Sequence, residues 1–170
     1  SVTSIGDSTF AYCTGLTSIT IPDSVTTIAA RAFYNCTALS EVGYPAGWTK
    51  TLSRYNSASD SLDYHVSPFE GCTSLKKIEI DEGVTVVPQY AFRKHTSIEE
   101  VVLPESLTTI KAYAFDGCKG LTEIVMPGAL MTVEAYAYRG CSGNRIRNLR
   151  RIRRLWRTLC GRSYRNSLLQ

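Results

Sequence analysis

Apolar and polar positions along this chain recur in a fixed 23-residue frame. Aligned on an aromatic, the frame runs through Phe10, Phe33, Phe69, Phe92, Phe115 and Tyr138, with successive spacings of 23, 36, 23, 23 and 23. Three residues after each aromatic stand Cys13, Cys36, Cys72, His95, Cys118 and Cys141. Three further on come Leu16, Leu39, Leu75, Ile98 and Leu121, and then the apolar pairs Ile19/Ile21, Val42/Tyr44, Ile78/Ile80, Val101/Leu103 and Ile124/Met126. Pro22, Pro45, Pro104 and Pro127 close the pair in four units, with Asp81 in the remaining one.

Each unit divides into two halves. Leu16-Thr17-Ser18-Ile19-Thr20-Ile21-Pro22 ends in alternation of period two, which predicts a short strand with Ile19 and Ile21 inward. Proline offers no N–H to a ladder and ends that strand. Ala114-Phe115-Asp116-Gly117-Cys118 is too short for a stable helix and predicts one helical or 3₁₀ turn on the opposite side. A single unit cannot bury its own Ile, Leu and Phe, whereas stacked units cover one another. The pattern therefore predicts an α/β repeat solenoid of about five and a half units, with parallel strands on one face.

One spacing is 36 in place of 23. Counting back from Phe69 places 13 extra residues at Trp48–Asp60, a polar stretch holding Trp48 and Tyr55. Insertions in solenoids become loops, and loops often carry recognition. Trp48 and Tyr55 are thus contact candidates, against the plainer reading of a tolerated surface excursion with Trp48 packed on the repeat edge.

Charge divides the chain in two. Residues 1–143 hold ten Lys and Arg against all fifteen Asp and Glu, while residues 144–170 hold nine Arg and no acid. The turn-forming run Cys141-Ser142-Gly143-Asn144 marks the expected boundary. Beyond it, apolar residues at 146, 149, 152, 155, 156 and 159 have helical spacing with Arg between them, which predicts a basic amphipathic helical tail. Its contact candidates are Arg147, Arg150, Arg151, Arg154 and Trp156. Three partners suit such a tail: an anionic membrane surface, nucleic acid, or the acidic repeat domain of the same chain. An extension with no selected function is the alternative. No run of about 18 apolar residues is present, and Ser1-Val2-Thr3-Ser4-Ile5 lacks the regions of a signal peptide; with no initiator Met, the sequence reads as a fragment or a processed chain.

Chemistry is sparse. Five of the six cysteines share one phase of the frame and are expected as a buried column of free thiols, whose parallel Cβ vectors suit neither disulfides nor a metal. Cys160 lies out of phase, in the tail. His95 in that column reads as a packed core residue, and His65 has no evident partner. Asn35-Cys36-Thr37 matches a glycosylation pattern but shares a residue with the column. No nucleophile motif or phosphate loop occurs, so no catalytic, cofactor or metal site is expected.

The runs Ile21–Leu39 and Leu103–Leu121 resemble the BspA-type leucine-rich repeat, and the resemblance extends over about 2–141. It implies a curved leucine-rich-repeat stack from secreted or surface-attached proteins, extracellular in location, where it is associated with adhesion to host or neighbouring-cell proteins. No catalytic residues or cofactors come with it. A non-enzymatic protein-binding module is the expectation, with membrane or nucleic-acid binding through the tail as the alternative.

If Ile19 and Ile21 point inward, the same phase sends Ser18/Thr20, Glu41/Gly43, Lys77/Glu79, Glu100/Val102 and Glu123/Val125 outward. Glu41, Lys77, Glu79, Glu100, Val102, Glu123 and Val125 are the strand-face candidates, suited to a basic or amphipathic partner segment.

Overall fold

The computed structural model describes residues 1–52, 66–142 and 145–147, the last three through their backbone. Twelve strands of two or three residues follow the frame: β1 (Ser4–Ile5), β2 (Ser18–Thr20), β3 (Thr27–Ala29), β4 (Glu41–Gly43), β5 (Lys50–Leu52), β6 (Lys77–Glu79), β7 (Val86–Val87), β8 (Glu100–Val102), β9 (Thr109–Ile110), β10 (Glu123–Val125), β11 (Thr132–Val133) and β12 (Arg145–Arg147). Even-numbered strands form the expected face, paired in parallel as β2–β4, β6–β8 and β10–β12. Odd-numbered strands form a second parallel face, ordered β1–β3–β5 and β7–β9–β11.

Two expectations change. Strands occupy two faces, because Thr-Thr-Ile and Thr-Val-Val stretches such as 26–28 and 85–87 are β-branched and alternate against the core. Among the described residues there is no helix, neither α nor 3₁₀. At the third edge the backbone N–H of Phe10, Phe33, Phe92 and Phe115 donates to the following turn, to the carbonyls of Ala32, Pro68, Ala114 and Ala137, each at 2.8 Å. Those bonds replace the intrahelical ones. Left-handed backbone on both sides of the aromatic also excludes a helix: φ is +61° at Tyr90 and +60° at Lys94, with +59° at Tyr113 and +78° at Gly117 one turn later.

The repeat also ends differently from expectation. β12 pairs with β10, Ile146 opposite Ile124, so a strand stands where the helical tail was to begin. A helical tail is not supported. The 23-residue frame would place Arg147 opposite Ile124, whereas the pairing sets Ile146 there, one position earlier. Residues 148–170, with Arg150, Arg151, Arg154, Trp156 and Cys160, lie outside the described residues.

The insertion moves as well. Thr27, Ile28 and Ala29 pair with Lys50, Thr51 and Leu52 at the normal offset, so Trp48–Leu52 belong to the repeat. From Ser67 onward the corner bonds have shifted, Arg31 N–H reaching Ser67 and Phe33 N–H reaching Pro68. The surplus therefore falls between Leu52 and Ser67, not at 48–60. Tyr55 and His65 lie outside the described residues.

Within the triangle of the three edges sits one core. Phe33, Phe69, Phe92 and Phe115 are fully buried and stacked from turn to turn, with Phe10 and Tyr138 at the ends of the column. Burying each such ring is worth about 2–3 kcal/mol. Cys36, Cys72, Cys118 and Cys141 are buried free thiols as the frame predicts, and each donates to the carbonyl of a Phe one turn back: Phe10, Phe33, Phe92 and Phe115, at 3.0–3.2 Å. Burial raises the Cys72 thiol to about 12, which keeps it neutral and unreactive. Cys13 departs from the column by being exposed, since it lies on the first turn described and no earlier turn covers it.

Candidate interaction surface

The pleat sets the strand face. Val42, Ile78, Val101 and Ile124 at the centres of β4, β6, β8 and β10 are buried, so their neighbours on either side point out. Glu41, Lys77, Glu79 and Glu100 are exposed and Glu123 is half-buried. Val102 and Val125 are 37% and 49% exposed, large values for β-branched apolar side chains in strands. Register brings Lys77 beside Glu100 and Glu79 beside Val102, and then Glu123 beside Arg145 and Val125 beside Arg147. Lys77 Nζ lies 2.9 Å from Glu79, whose hydrogen bond and charge raise the lysine pKa, and Lys76 lies 3.1 Å from Glu99. With both lysines matched to carboxylates, Glu100 gives this part of the face its excess of acid.

Trp48 does not belong to any surface. It is 4% exposed, its ring lies 6.2 Å from Tyr44 and 6.1 Å from both Phe69 and Phe92, and its Nε1–H donates to the Lys50 carbonyl at 2.8 Å. Its role as a contact residue is withdrawn, because it fills the core position held by Val25, Val84, Leu107 and Leu130 in other turns.

A second surface escaped the sequence reading. At the corner beside the Phe column, Tyr90, Tyr113 and Tyr136 stack at 5.4 and 5.2 Å. Arg93 lies over Tyr90 and Tyr113, both at 5.9 Å, and Arg139 over Tyr113 and Tyr136 at 5.4 and 5.3 Å. Asp116 stands between the arginines: Arg93 Nε donates to it at 2.9 Å, and Arg139 donates through Nε and Nη2 at 2.8 and 3.0 Å. Burial pushes the Asp116 carboxyl up, but hydrogen bonds from Arg139 and Arg93 outweigh it and hold the pKa below the usual range. The signal was present, since 90/113/136 and 93/116/139 both run at the 23-residue spacing. Because the charges satisfy one another, this edge reads as a staple between turns.

His95 is 3% exposed, with Nδ1 3.1 Å from Ser97 Oγ and Nε2 buried without a hydrogen-bond partner. Burial lowers its pKa to about 4, so it is neutral near pH 7. Among the described residues no group of three or more His, Cys, Asp or Glu is placed to hold a metal, and no helix is long and apolar enough to cross a membrane.

Short parallel strands recurring once per turn around one triangular core define a leucine-rich-repeat β-solenoid. The chain belongs to the BspA-type leucine-rich repeat family, whose repeat region matches in six copies over residues 3–145. A search of curated proteins finds no match. Among solved structures, a leucine-rich repeat protein of T. pallidum is similar over 98% of this chain and 79% of its own, with 22% identity and a TM-score of 0.59, a likeness of fold. A leucine-rich cell surface protein of Faecalibacterium prausnitzii is 30% identical over 85% of this chain and 42% of its own, with a TM-score of 0.46. A leucine-rich repeat protein of Bacteroides ovatus is 22% identical over 85% of this chain and 46% of its own, with a TM-score of 0.47. The chain thus spans less than half the length of those last two proteins.

Proposed function

We propose that this chain is a non-enzymatic protein-binding module of a surface or secreted protein, and that its strand face contacts the ligand. The observation that carries this reading is the outward row on β6, β8 and β10, where Glu79, Glu100 and Glu123 flank the exposed pair Val102 and Val125. An apolar pair rimmed by charged side chains, with Lys77 and Arg145 in register with Glu100 and Glu123, offers both burial and orientation to a partner. Family membership supports the scaffold role, and its surface-protein associations support a host or neighbouring-cell protein as ligand. No cofactor is invoked.

The test is capture of labelled host or neighbouring-cell surface proteins on the immobilised chain, then measurement of the captured ligand's affinity for Glu100→Lys/Glu123→Lys. A loss of at least about tenfold is expected, as for two charge reversals inside an interface. Unchanged affinity would move the ligand off this face. Binding to anionic vesicles or nucleic acid with a steep salt dependence would favour the alternative reading through the Arg-rich residues beyond 143.

A further inference from the structure

One step in the stack is joined differently from the rest. A near block ends with the corner 67–72, and a far block begins at β6. Strand pairing or backbone hydrogen bonds join the other adjacent turns, including the step from β8 to β10, where Phe115, Gly117 and Met131 donate to Ala137, Arg139 and Thr108. Between the two blocks, apart from the Leu75 N–H to Cys72 carbonyl bond of the connecting chain, there is no such bond among the described residues. The thiol bond is missing there too. Cys36, Cys72, Cys118 and Cys141 each donate to a Phe carbonyl one turn back, whereas His95 holds the same frame position and sets its Nδ1 against Ser97 Oγ.

The contacts that close this seam are largely non-directional. Phe92 meets Phe69 at 6.0 Å, Tyr44 at 5.4 Å and Trp48 at 6.1 Å, and Ser67 Oγ reaches across to the Ala91 carbonyl at 2.6 Å. Tyr44 Oη on the near side and His95 Nε2 on the far side are buried without a hydrogen-bond partner. Such orphaned groups carry a desolvation penalty that water would relieve, which lowers the cost of parting the blocks.

The charges around His95 decide when they part. The adjoining turns set Cys72 and Tyr44 on the near side and Cys118 on the far side. All three are neutral near pH 7: burial raises Cys72 to about 12 and Tyr44 well above its usual value, while a hydrogen bond with Cys141 and burial raise Cys118. At the corners Glu70 stands half-buried on the near side, Arg93 and Arg139 close on Asp116 on the far side, and Lys94 is exposed. Nε2 has no acceptor among the described residues, so an imidazolium is satisfied only where water reaches it. Burial accordingly holds the closed-seam pKa at about 4, against an ordinary 6.5.

We propose that the seam between β4–β5 and β6–β7 is an acid-sensitive joint: when His95 takes up a proton, the two folded blocks part and the aromatic surface of Tyr44, Trp48 and Phe92 meets solvent. The strand face is then split between Glu41 and Lys77, which changes the spacing of its outward row. The joint does not depend on that face having a ligand. A proton held at 6.5 in the open form and at about 4 in the closed form raises the opening constant about 20-fold from pH 7 to pH 5.

The experiment uses the full chain with Trp156→Phe, which leaves Trp48 as the one indole. Acrylamide quenching of Trp48 fluorescence is measured at the same two pH values in that chain and with His95→Cys added, while far-ultraviolet circular dichroism follows the fold. The expected result for opening coupled to one proton is a quenching constant at least about twofold larger in acid, with unchanged dichroism and no increase in the His95→Cys chain. Equal quenching at both pH values, a rise of the same size in both chains, or a rise that comes with loss of dichroism would overturn the proposal.

Discussion

Phe69 and Phe92 stand 6.0 Å apart in the aromatic column, wider than any other step between stacked Phe rings, which are 5.2 to 5.3 Å. Both strand ladders break at that same boundary, between the turn bearing β4 and β5 and the turn bearing β6 and β7, and the even-numbered ladder breaks again between β8 and β10. Tyr44 and Trp48 account for the wider ring step: they stand in positions filled by Ile, Leu, Met or Val in the other turns, and both meet Phe69 and Phe92 edge-on. Between them and Val84, Val87 and Phe92 lies a cavity of 10 Å³, room for one water at most.

Trp48 is the wedge that fills this boundary, so Trp48→Ala should destabilise the fold by about 3–5 kcal/mol, the usual cost of emptying a buried aromatic site. Urea unfolding followed by circular dichroism measures it. A change within about 0.5 kcal/mol is what a surface position would give, and would contradict core packing of the indole.

His95 lies on the same loosened boundary and makes stability fall with acid. Its folded pKa of about 4 is below the ordinary histidine value of 6.5, so between those values the unfolded chain binds more protons. Stability is complete above about pH 6.5 and is lost as pH falls toward 4. The full difference is worth about 3 kcal/mol, of which about 2 is gone by pH 5. His95→Cys restores the residue the frame places here and should remove that dependence, so the variant is more stable than the wild type at pH 5 by roughly 2 kcal/mol relative to their difference at pH 7. Parallel melts at the two pH values decide; identical pH dependence in both chains would show that His95 is not the titrating group.

Ser67 repairs the corner where the stack widens. Its hydroxyl accepts from the Phe69 N–H at 3.1 Å and donates to the Ala91 carbonyl at 2.6 Å, doing through a side chain what other turns do by a direct backbone bond. Ser67 is fully buried, so Ser67→Ala leaves both backbone groups unpaired and should cost about 2 kcal/mol. Ser106 makes the same two-bond bridge, from the Gly83 N–H and to the Val84 carbonyl, but is half-buried. Ser106→Ala should cost under about 1 kcal/mol, because water replaces the lost partner. Equal losses in the two variants would remove burial as the explanation.

The 23-residue frame made the core legible, because a buried position must stay apolar in every turn and only a few residue types satisfy that. The inward residues of the strand face and four buried cysteines follow from it directly. The second strand face was less legible: strands of two or three residues are too short for alternation to register, and Val25 and Ile28 read equally well as the start of a turn. The corner was hidden by its hydrogen bonds, which run from one turn to the next and leave no local trace. Trp48 was misplaced because a large aromatic in a polar stretch resembles a loop contact, while its place one full frame after Val25 puts it in the core. The Tyr row at 90/113/136 and the Arg-Asp-Arg row at 93/116/139 obeyed the frame, yet no single-turn pattern marks charge that is satisfied only by the next turn.

Asp116 puts such charge to the test. It accepts from arginines in the turn before and the turn after, so it clamps three turns at once. Asp116→Asn keeps the shape but removes the charge, leaving Arg93 and Arg139 facing each other across a neutral amide. The expected loss is about 1–2 kcal/mol, modest because Arg139 remains partly solvated. Its acid behaviour separates it from His95. A carboxyl whose folded pKa is depressed contributes stability that is present above the unfolded value of 3.8 and lost as pH falls below it. The wild type should therefore lose stability in two stages, one between 6.5 and about 4 from His95 and one below 3.8 from Asp116. Asp116→Asn should flatten the lower stage and leave the upper one intact, whereas His95→Cys should do the reverse. Denaturant titrations of both variants across that range measure it, and a single stage abolished by either substitution alone would mean the two groups titrate as one.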